Sequence, residues 1–122
     1  MSCENPFGET IYSYSRTQAI EDGVLVDLSQ ADSIRQHWKH SFACTSAVWA
    51  IIEEALQHPG QDVSGICHDI STMAKLAIRS TRETEQIFFS VFITGKKYAL
   101  KLHIGPGDTA APVLTLMLPY ED

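Results

Sequence analysis

Two runs in the last third of the chain have an apolar side chain at every second position. Residues 86–94 and 98–104 each place apolar side chains at every second position, which is typical of β-strands with one buried face. Residues 95–97, a glycine and two lysines, separate the two runs and predict a turn. Residues 113–118 are apolar at nearly every position, which predicts a strand in the middle of the sheet or one with both faces covered. The pattern therefore predicts an antiparallel meander of three consecutive strands.

Two longer segments upstream have helical periodicity. Residues 46–57 and 63–77 carry apolar side chains three or four positions apart. Thr45 and Asp62 precede these segments and are expected N-caps, because their side-chain oxygens can accept hydrogen bonds from the first backbone N–H groups of a helix. Residues 42–44 are expected to be extended. We expect the two amphipathic helices to cover the apolar face of the meander.

The first third of the chain has shorter patterns. Residues 1–10 lack periodicity and predict a loose tail. Residues 15–23 predict a short helix, because they begin with a serine cap and end at a glycine. Residues 24–28 predict a brief strand from their β-branched content. Ser29 and Asp32 are expected to cap a second short helix.

These elements predict an α+β fold in which N-terminal helices pack on one face of a C-terminal three- to four-stranded antiparallel β-meander. The chain has 122 residues, which suits a single domain over residues 1–122, and no linker-like stretch divides it. Its longest apolar run is far shorter than the roughly 18 residues that a membrane helix requires, and its start lacks a basic segment followed by an apolar one. We therefore expect a cytoplasmic protein without a membrane segment.

Acidic residues are concentrated in the first half of the chain. Residues 1–62 contain nine Asp and Glu against three Lys and Arg, residues 63–122 contain six of each, and the formal net charge is -6. An acidic surface repels phosphate backbones, so direct binding of nucleic acid is disfavoured. The same charge suits a basic protein partner, although moderate negative charge also serves solubility alone.

The cysteines do not predict a disulfide framework, because three is an odd number and their spacing shows no pairs. Zinc binding by His40, Cys44, Cys67 and His68 is disfavoured, since adjacent helical residues such as Cys67 and His68 point about 100° apart. Cys67 is predicted to be a core residue and His68 a solvent-facing one. The sequence around Cys44 offers nothing that stabilises a thiolate nucleophile. No metal or cofactor site is predicted.

Two stretches resemble a known family. Residues 14–29, YSRTQAIEDGVLVDLS, and the ending formed by residues 105–108 and 112–119, GPGD and PVLTLMLP, are similar to an uncharacterised bacterial domain family of plasmids, phages and other mobile elements. Trp49 lies between the two blocks and also fits. The resemblance brings no catalytic residues. It implies a setting in which a small acidic accessory protein acts on host machinery.

The leading hypothesis is a non-enzymatic interaction module that binds a host protein or one encoded by the same element. Glu21, Asp22 and Asp27 lie within seven residues, and Asp32 follows in the first turn of the next helix, where negative charge suits the helix dipole. These carboxylates are predicted to attract a basic protein surface, such as one that normally holds nucleic acid. The competing interpretation is that Asp22 and Asp32 cap helices and that Asp27 ends a strand.

A second hypothesis places an enzyme on the other face of the sheet. There Phe88, Ser90 and Phe92 are expected to neighbour Lys101 and His103 on the next strand. With the histidine as general acid or base and the lysine against phosphate charge, this face suits a ribonuclease-like domain of the barnase or RelE architecture. The analogy rests on fold alone. The simpler interpretation is a half-covered face with Lys101 and His103 at a solvated rim.

A third hypothesis is a homodimer with a structural role. It follows from the amount of apolar sheet in so short a chain, because exposed apolar surface is commonly covered by a second subunit.

Overall fold

The computed structural model describes residues 15–80, 85–107 and 111–121. The tail expected at residues 1–10 lies outside these ranges. The helices and strands follow in chain order as α1 (Arg16–Glu21), β1 (Leu25–Asp27), α2 (Asp32–His37), β2 (Ser41–Thr45), α3 (Ser46–Ala55), α4 (Val63–Ser80), β3 (Gln86–Ile93), β4 (Lys96–Pro106) and β5 (Pro112–Met117).

The five strands form one mixed sheet in the order β1-β2-β5-β4-β3. The strand predicted at residues 113–118 is β5, and it occupies the middle of the sheet. It pairs antiparallel with β4 and parallel with β2, where Phe42 lies opposite Leu114. β1 and β3 form the two edges. The fold is α+β, as predicted.

The sheet differs from the predicted three- to four-stranded antiparallel meander. β3, β4 and β5 do form consecutive antiparallel pairs, but β1 and β2 extend the sheet on the other side of β5. The parallel pairing of β2 with β5 joins residues that are about 70 positions apart in the sequence. Residues 42–44 are extended, as expected, and belong to β2. Because Phe42, Ala43 and Cys44 are buried in succession, β2 has no alternating pattern that would indicate its place in the sheet.

The turn between β3 and β4 is also displaced from the prediction. Thr94 and Gly95 form it, with positive φ values of 51° and 82°, whereas Lys96 and Lys97 belong to β4. Two consecutive positive φ angles are typical of a tight two-residue hairpin, whose twist matches that of its strands.

One face of the sheet packs against α2, α3 and α4. Cross-strand pairing places Ile87, Leu102, Leu116 and Cys44 in one row from β3 to β2, and each of them is fully buried. The helices fill this face with Ile34 from α2, Val48 and Ile52 from α3, and Ile66, Cys67 and Ile70 from α4. The core is therefore one layer of helices on one face of the sheet, as predicted for α3 and α4.

The short helix α1 lies on the opposite face of the sheet. Arg16 at its start donates hydrogen bonds to β5, to the Thr115 hydroxyl at 2.8 Å and to the Leu114 carbonyl oxygen at 2.8 Å. Thr115 alternates with the core residues of β5, so its side chain is directed away from α3 and α4. The prediction that all the N-terminal helices share one face is therefore wrong for α1.

Three of the predicted helix caps are confirmed. The side chains of Ser15, Thr45 and Asp62 each accept a hydrogen bond from the backbone N–H three residues on, at 3.0, 3.4 and 2.6 Å. These bonds fix where α1, α3 and α4 begin, because they satisfy backbone donors that have no partner inside the helix.

The predicted caps of α2 are wrong. Its N-cap is Ala31, which offers no side-chain acceptor, and Asp32 is already the first helical residue. The Ser29 hydroxyl instead accepts a hydrogen bond from the backbone N–H of Phe42 at 2.9 Å and so ties the start of β2 to the preceding loop. Within the described residues, no helix is both long enough and apolar enough to span a membrane.

Candidate functional site

A polar cavity of about 480 Å³ lies between α1 and the outer face of the sheet. We call it the α1 cavity. It is lined by side chains from α1 and β1, from the junction of β2 with α3, from the ends of β4 and β5, and from the C-terminal residues; the polar ones are Ser15, Arg16, Thr45, Ser46, His103, Thr115 and Glu121. The cavity therefore combines a guanidinium, an imidazole, a carboxylate and several hydroxyl groups.

Arg16 is fixed in the wall of the α1 cavity by its bonds to β5. Two of its guanidinium nitrogens donate hydrogen bonds, one to the Thr115 hydroxyl and one to the Leu114 carbonyl oxygen. Ala19 of the same helix is buried. A guanidinium has five N–H donors in a rigid plane, so two such bonds fix its orientation. Arg16 thus holds α1 on the sheet and brings positive charge to the cavity.

His103 enters the α1 cavity from β4. It is half-buried, and its cross-strand neighbours are Gln86 on β3 and Thr115 on β5. Gly105 comes two residues later on the same face of the strand. A Cβ atom at Gly105 would lie 3.0 Å from Cε1 of His103, closer than side chains normally approach. The absence of a side chain at Gly105 therefore leaves room for the imidazole.

Glu121 closes another side of the α1 cavity. Its Oε1 accepts hydrogen bonds from the Thr45 hydroxyl at 2.7 Å and from the backbone N–H of Leu118 at 2.8 Å. Its backbone carbonyl accepts a hydrogen bond from Nζ of Lys101. These contacts hold the end of the described chain against the outer face of the sheet, next to the first turn of α3.

The two residues of the ribonuclease hypothesis lie on the same face of β4, but only His103 lines the α1 cavity. Lys101 is 6% exposed, its amino group bonds to the Glu121 carbonyl, and it lies 5.9 Å from the centre of the Phe88 ring. Lys101 therefore holds the C-terminal residues in place, and Arg16 is the cation that lines the cavity.

The four residues of the acidic hypothesis lie at the β1 edge of the sheet and beyond it. Glu21 ends α1, Asp22 is its C-cap, and Asp27 is the last residue of β1; all three side chains are exposed. We call these three residues the acidic patch. Asp32 lies in the first turn of α2 and forms an ion pair with Arg35, which offsets its charge.

The four residues considered for zinc binding do not converge. Cys44 and Cys67 are buried in the core, as predicted for Cys67, whereas His40 and His68 are exposed. His68 faces His37 of α2, with Nδ1 and Nε2 3.1 Å apart. Burial, the nearby Lys75 charge and His68 lower the pKa of His37, which favours the neutral form of the His37 imidazole.

Arg16, Thr45 and Glu121 were missed as site residues by the sequence reasoning. Arg16 and Thr45 were recognised only as parts of helix starts. Glu121 follows a proline near the end of the chain and belongs to no periodic element. Their convergence depends on the pairing of β2 with β5, which brings the start of α3 beside the C-terminal residues.

Comparison with family models, with curated proteins and with solved structures gave no match. The resemblance to a mobile-element family therefore stays a prediction, and the function is argued from the site.

Proposed function

We propose that the protein is a non-enzymatic interaction module that binds a basic surface of another protein through the acidic patch. The observation that carries the proposal is that Glu21 and Asp22 at the end of α1 and Asp27 at the end of β1 are all exposed, within seven residues of one another. Exposed carboxylates grouped in one short segment produce a local negative field, which attracts a basic surface and speeds its association.

Two of the three positive charges in the same half of the chain have partners within the protein. Residues 1–62 contain only three Lys and Arg. Arg16 is bonded to β5, and Arg35 is paired with Asp32. Lys39, the third of these cations, is exposed and has no such bond to the described residues. These bonds leave the formal net charge of residues 1–62 at -6, from nine acids and three bases, so this half of the chain is acidic as a whole.

The acidic patch also lies beside a strand that forms an edge of the sheet in the described part of the chain. β1 is an edge strand, and Asp27 at its end accepts a hydrogen bond from the backbone N–H of Ser29 at 2.9 Å, which fixes the carboxylate. A fixed carboxylate loses less conformational freedom on binding than a mobile one. The partner that fits is a protein with a lysine- or arginine-rich surface, encoded by the host or by the same mobile element.

Neutralising the acidic patch is expected to abolish capture of this partner. In a pull-down from bacterial lysate, the wild-type protein is expected to retain a basic protein at low salt and to lose it as salt shortens the Debye length to about 8 Å at physiological strength. The Glu21→Gln, Asp22→Asn, Asp27→Asn variant should retain at least tenfold less, because association driven by charge falls by about 10-fold or more when the field is removed.

A matched control removes the same charge elsewhere. Glu53→Gln, Glu54→Gln and Asp69→Asn neutralise three exposed acids on α3 and α4, away from the acidic patch. This variant should capture the partner as the wild-type protein does, and both variants should melt at the wild-type temperature. Recovery of no partner at low and moderate salt, or equal recovery by the patch variant, contradicts the proposal.

RNA cleavage at the α1 cavity is the second candidate function. The observation that favours it is that Arg16, His103 and Glu121 line the same cavity. In such a reaction the ribose 2′-oxygen attacks phosphorus and its proton passes to the Glu121 carboxylate. The bond to the 5′-oxygen breaks, His103 gives that oxygen a proton, and a 2′,3′-cyclic phosphate remains. The Arg16 guanidinium stabilises the negative charge on the phosphate oxygens.

This candidate predicts cyclic phosphate ends when the purified protein is incubated with single-stranded RNA. The His103→Ala variant should cleave at least 100-fold more slowly, because general acid catalysis contributes about 10²–10⁴-fold. His40→Ala, which changes an exposed histidine outside the α1 cavity, is the matched control. Absence of cleavage by the wild-type protein, or equal rates for the wild type and His103→Ala, removes this function.

A further inference from the structure

We propose that β3 is a dimerisation edge, at which two copies of the chain pair their β3 strands antiparallel and join two five-stranded sheets into one. β3 has eight residues and pairs with β4 on one side only within the described ranges. It lies at the edge of the sheet opposite to β1, so this proposal is independent of the acidic patch. Three features of β3 support a second copy as the occupant.

At alternate residues of β3 the backbone groups have no partner among residues 15–80, 85–107 and 111–121. The two-residue turn is closed by Ile93 and Lys96, which are directly paired, and the backbone N–H of Ile104 donates to the Glu85 carbonyl at 2.8 Å at the other end. In an antiparallel ladder, residues bonded to the partner strand alternate with residues whose N–H and C=O point away. The even-numbered residues of β3 therefore direct their backbone groups to the outer edge.

The sequence of this edge is self-complementary about Ser90. Phe88 and Phe92 lie two residues on either side of it, and their side chains are 58% and 65% exposed. When two β3 strands pair antiparallel with Ser90 opposite Ser90, each Phe88 lies opposite Phe92 of the other copy. Residues 88, 90 and 92 then exchange about six backbone hydrogen bonds. Directly opposed aromatic side chains are favourable cross-strand pairs.

The two edges of the sheet are built differently. Native proteins protect exposed edges by keeping them short or by placing charges or proline on them. β1 follows this rule, with three residues and a terminal Asp27. β3 does not, because residues 86–93 contain no charged residue and no proline. An eight-residue edge without protection is expected to be covered by another strand.

Charge and area also fit a second copy. With Ser90 on the axis, exposed Glu85 of one copy lies opposite Gly95 of the other, next to exposed Lys96, so acid meets base at both ends. Met73 of α4 is 38% exposed and lines a shallow groove with Phe92. Strands about 27 Å long, with these side chains, bury on the order of 1,000 Å² in total, the lower limit for a specific interface.

Light scattering and sedimentation over protein concentrations from about 1 to 300 μM test the proposal. The wild-type mass is expected to rise from 13.5 kDa to twice that value. The Phe88→Lys, Phe92→Lys variant should stay at 13.5 kDa throughout. Val24→Lys, which changes another exposed apolar residue near the opposite edge, should dimerise as the wild type does.

Two further measurements test the register. Glu85→Lys should weaken dimerisation, and adding Lys96→Glu should restore it. In hydrogen exchange on the wild-type protein, the amides of Phe88, Ser90 and Phe92 should become protected as concentration rises. A wild-type mass of 13.5 kDa at every concentration overturns the proposal. The proposal is also overturned if the Phe88→Lys, Phe92→Lys variant still dimerises and the amides of residues 88, 90 and 92 stay unprotected in the wild-type protein.

Discussion

Replacing Phe42 with alanine is expected to lower the free energy of unfolding by about 3–5 kcal/mol, the usual cost of deleting a buried phenylalanine. Phe42 is fully buried in β2, opposite Leu114 of the central strand, and its ring centre lies 5.6 Å from that of Trp38. The free energy cost is large because the missing ring leaves a cavity in the hydrophobic core. Urea titration followed by tryptophan fluorescence measures it.

The matched control is Tyr120→Ala, which removes an aromatic ring that is 81% exposed. Its effect should stay below about 0.5 kcal/mol, as is usual for surface positions. A cost below about 1 kcal/mol for Phe42→Ala would show that β2 is not a central strand and would return the fold to the simpler meander.

The contrast between β2 and β3 shows what the sequence alone can predict. β3 and β4 place apolar residues at every second position over a long stretch, so their existence, type and pairing were predictable. β2 has five residues, of which three consecutive ones are buried. The extended conformation of residues 42–44 was predictable, but their partner strand lies far along the chain, and local patterns do not record such partners. The parallel pair was missed for this reason.

Cys44 and Cys67 are expected to resist thiol reagents in the folded protein. Burial raises the pKa of Cys44 to about 12, with smaller contributions from Cys67 and Glu121, and burial raises the pKa of Cys67 to about 11, against 9.0 for an ordinary thiol. At pH 8 the thiolate fraction therefore falls about thousandfold for Cys44 and about hundredfold for Cys67. In a Cys3→Ser background, neither should be labelled until the protein unfolds.

A positive control is Val24→Cys in the same background, because an exposed thiol should be labelled at once. The sign of the pH dependence follows from the same shifts. The pKa values of Cys44 and Cys67 are both raised in the folded state, so folding favours the neutral thiols. The stability that these two thiols contribute is complete below pH 9 and is lost as pH rises towards 11 and 12. Rapid labelling of Cys44 in the native protein at pH 8 would contradict its place in the core.

The candidate site was predictable only in part. The acidic residues are close in sequence, so their grouping in one short segment needed no tertiary information, but the ion pair that offsets the charge of Asp32 did. His103 was predictable as a candidate because the alternation along the long strand β4 places it on the face that also carries Lys101. Its neighbours Arg16 and Glu121 come from opposite ends of the chain, and only the folded sheet brings them to the same cavity.

Association kinetics of the captured partner test the proposed function most directly. The association rate should be measured across salt concentrations for three proteins: the wild type, the variant with Glu21, Asp22 and Asp27 neutralised, and the matched variant of α3 and α4. The proposal predicts that the patch variant associates about tenfold more slowly at low salt, with a shallower salt dependence, while the matched variant behaves as the wild type. An unchanged rate and salt slope in the patch variant would show that the acidic patch is only solvated surface.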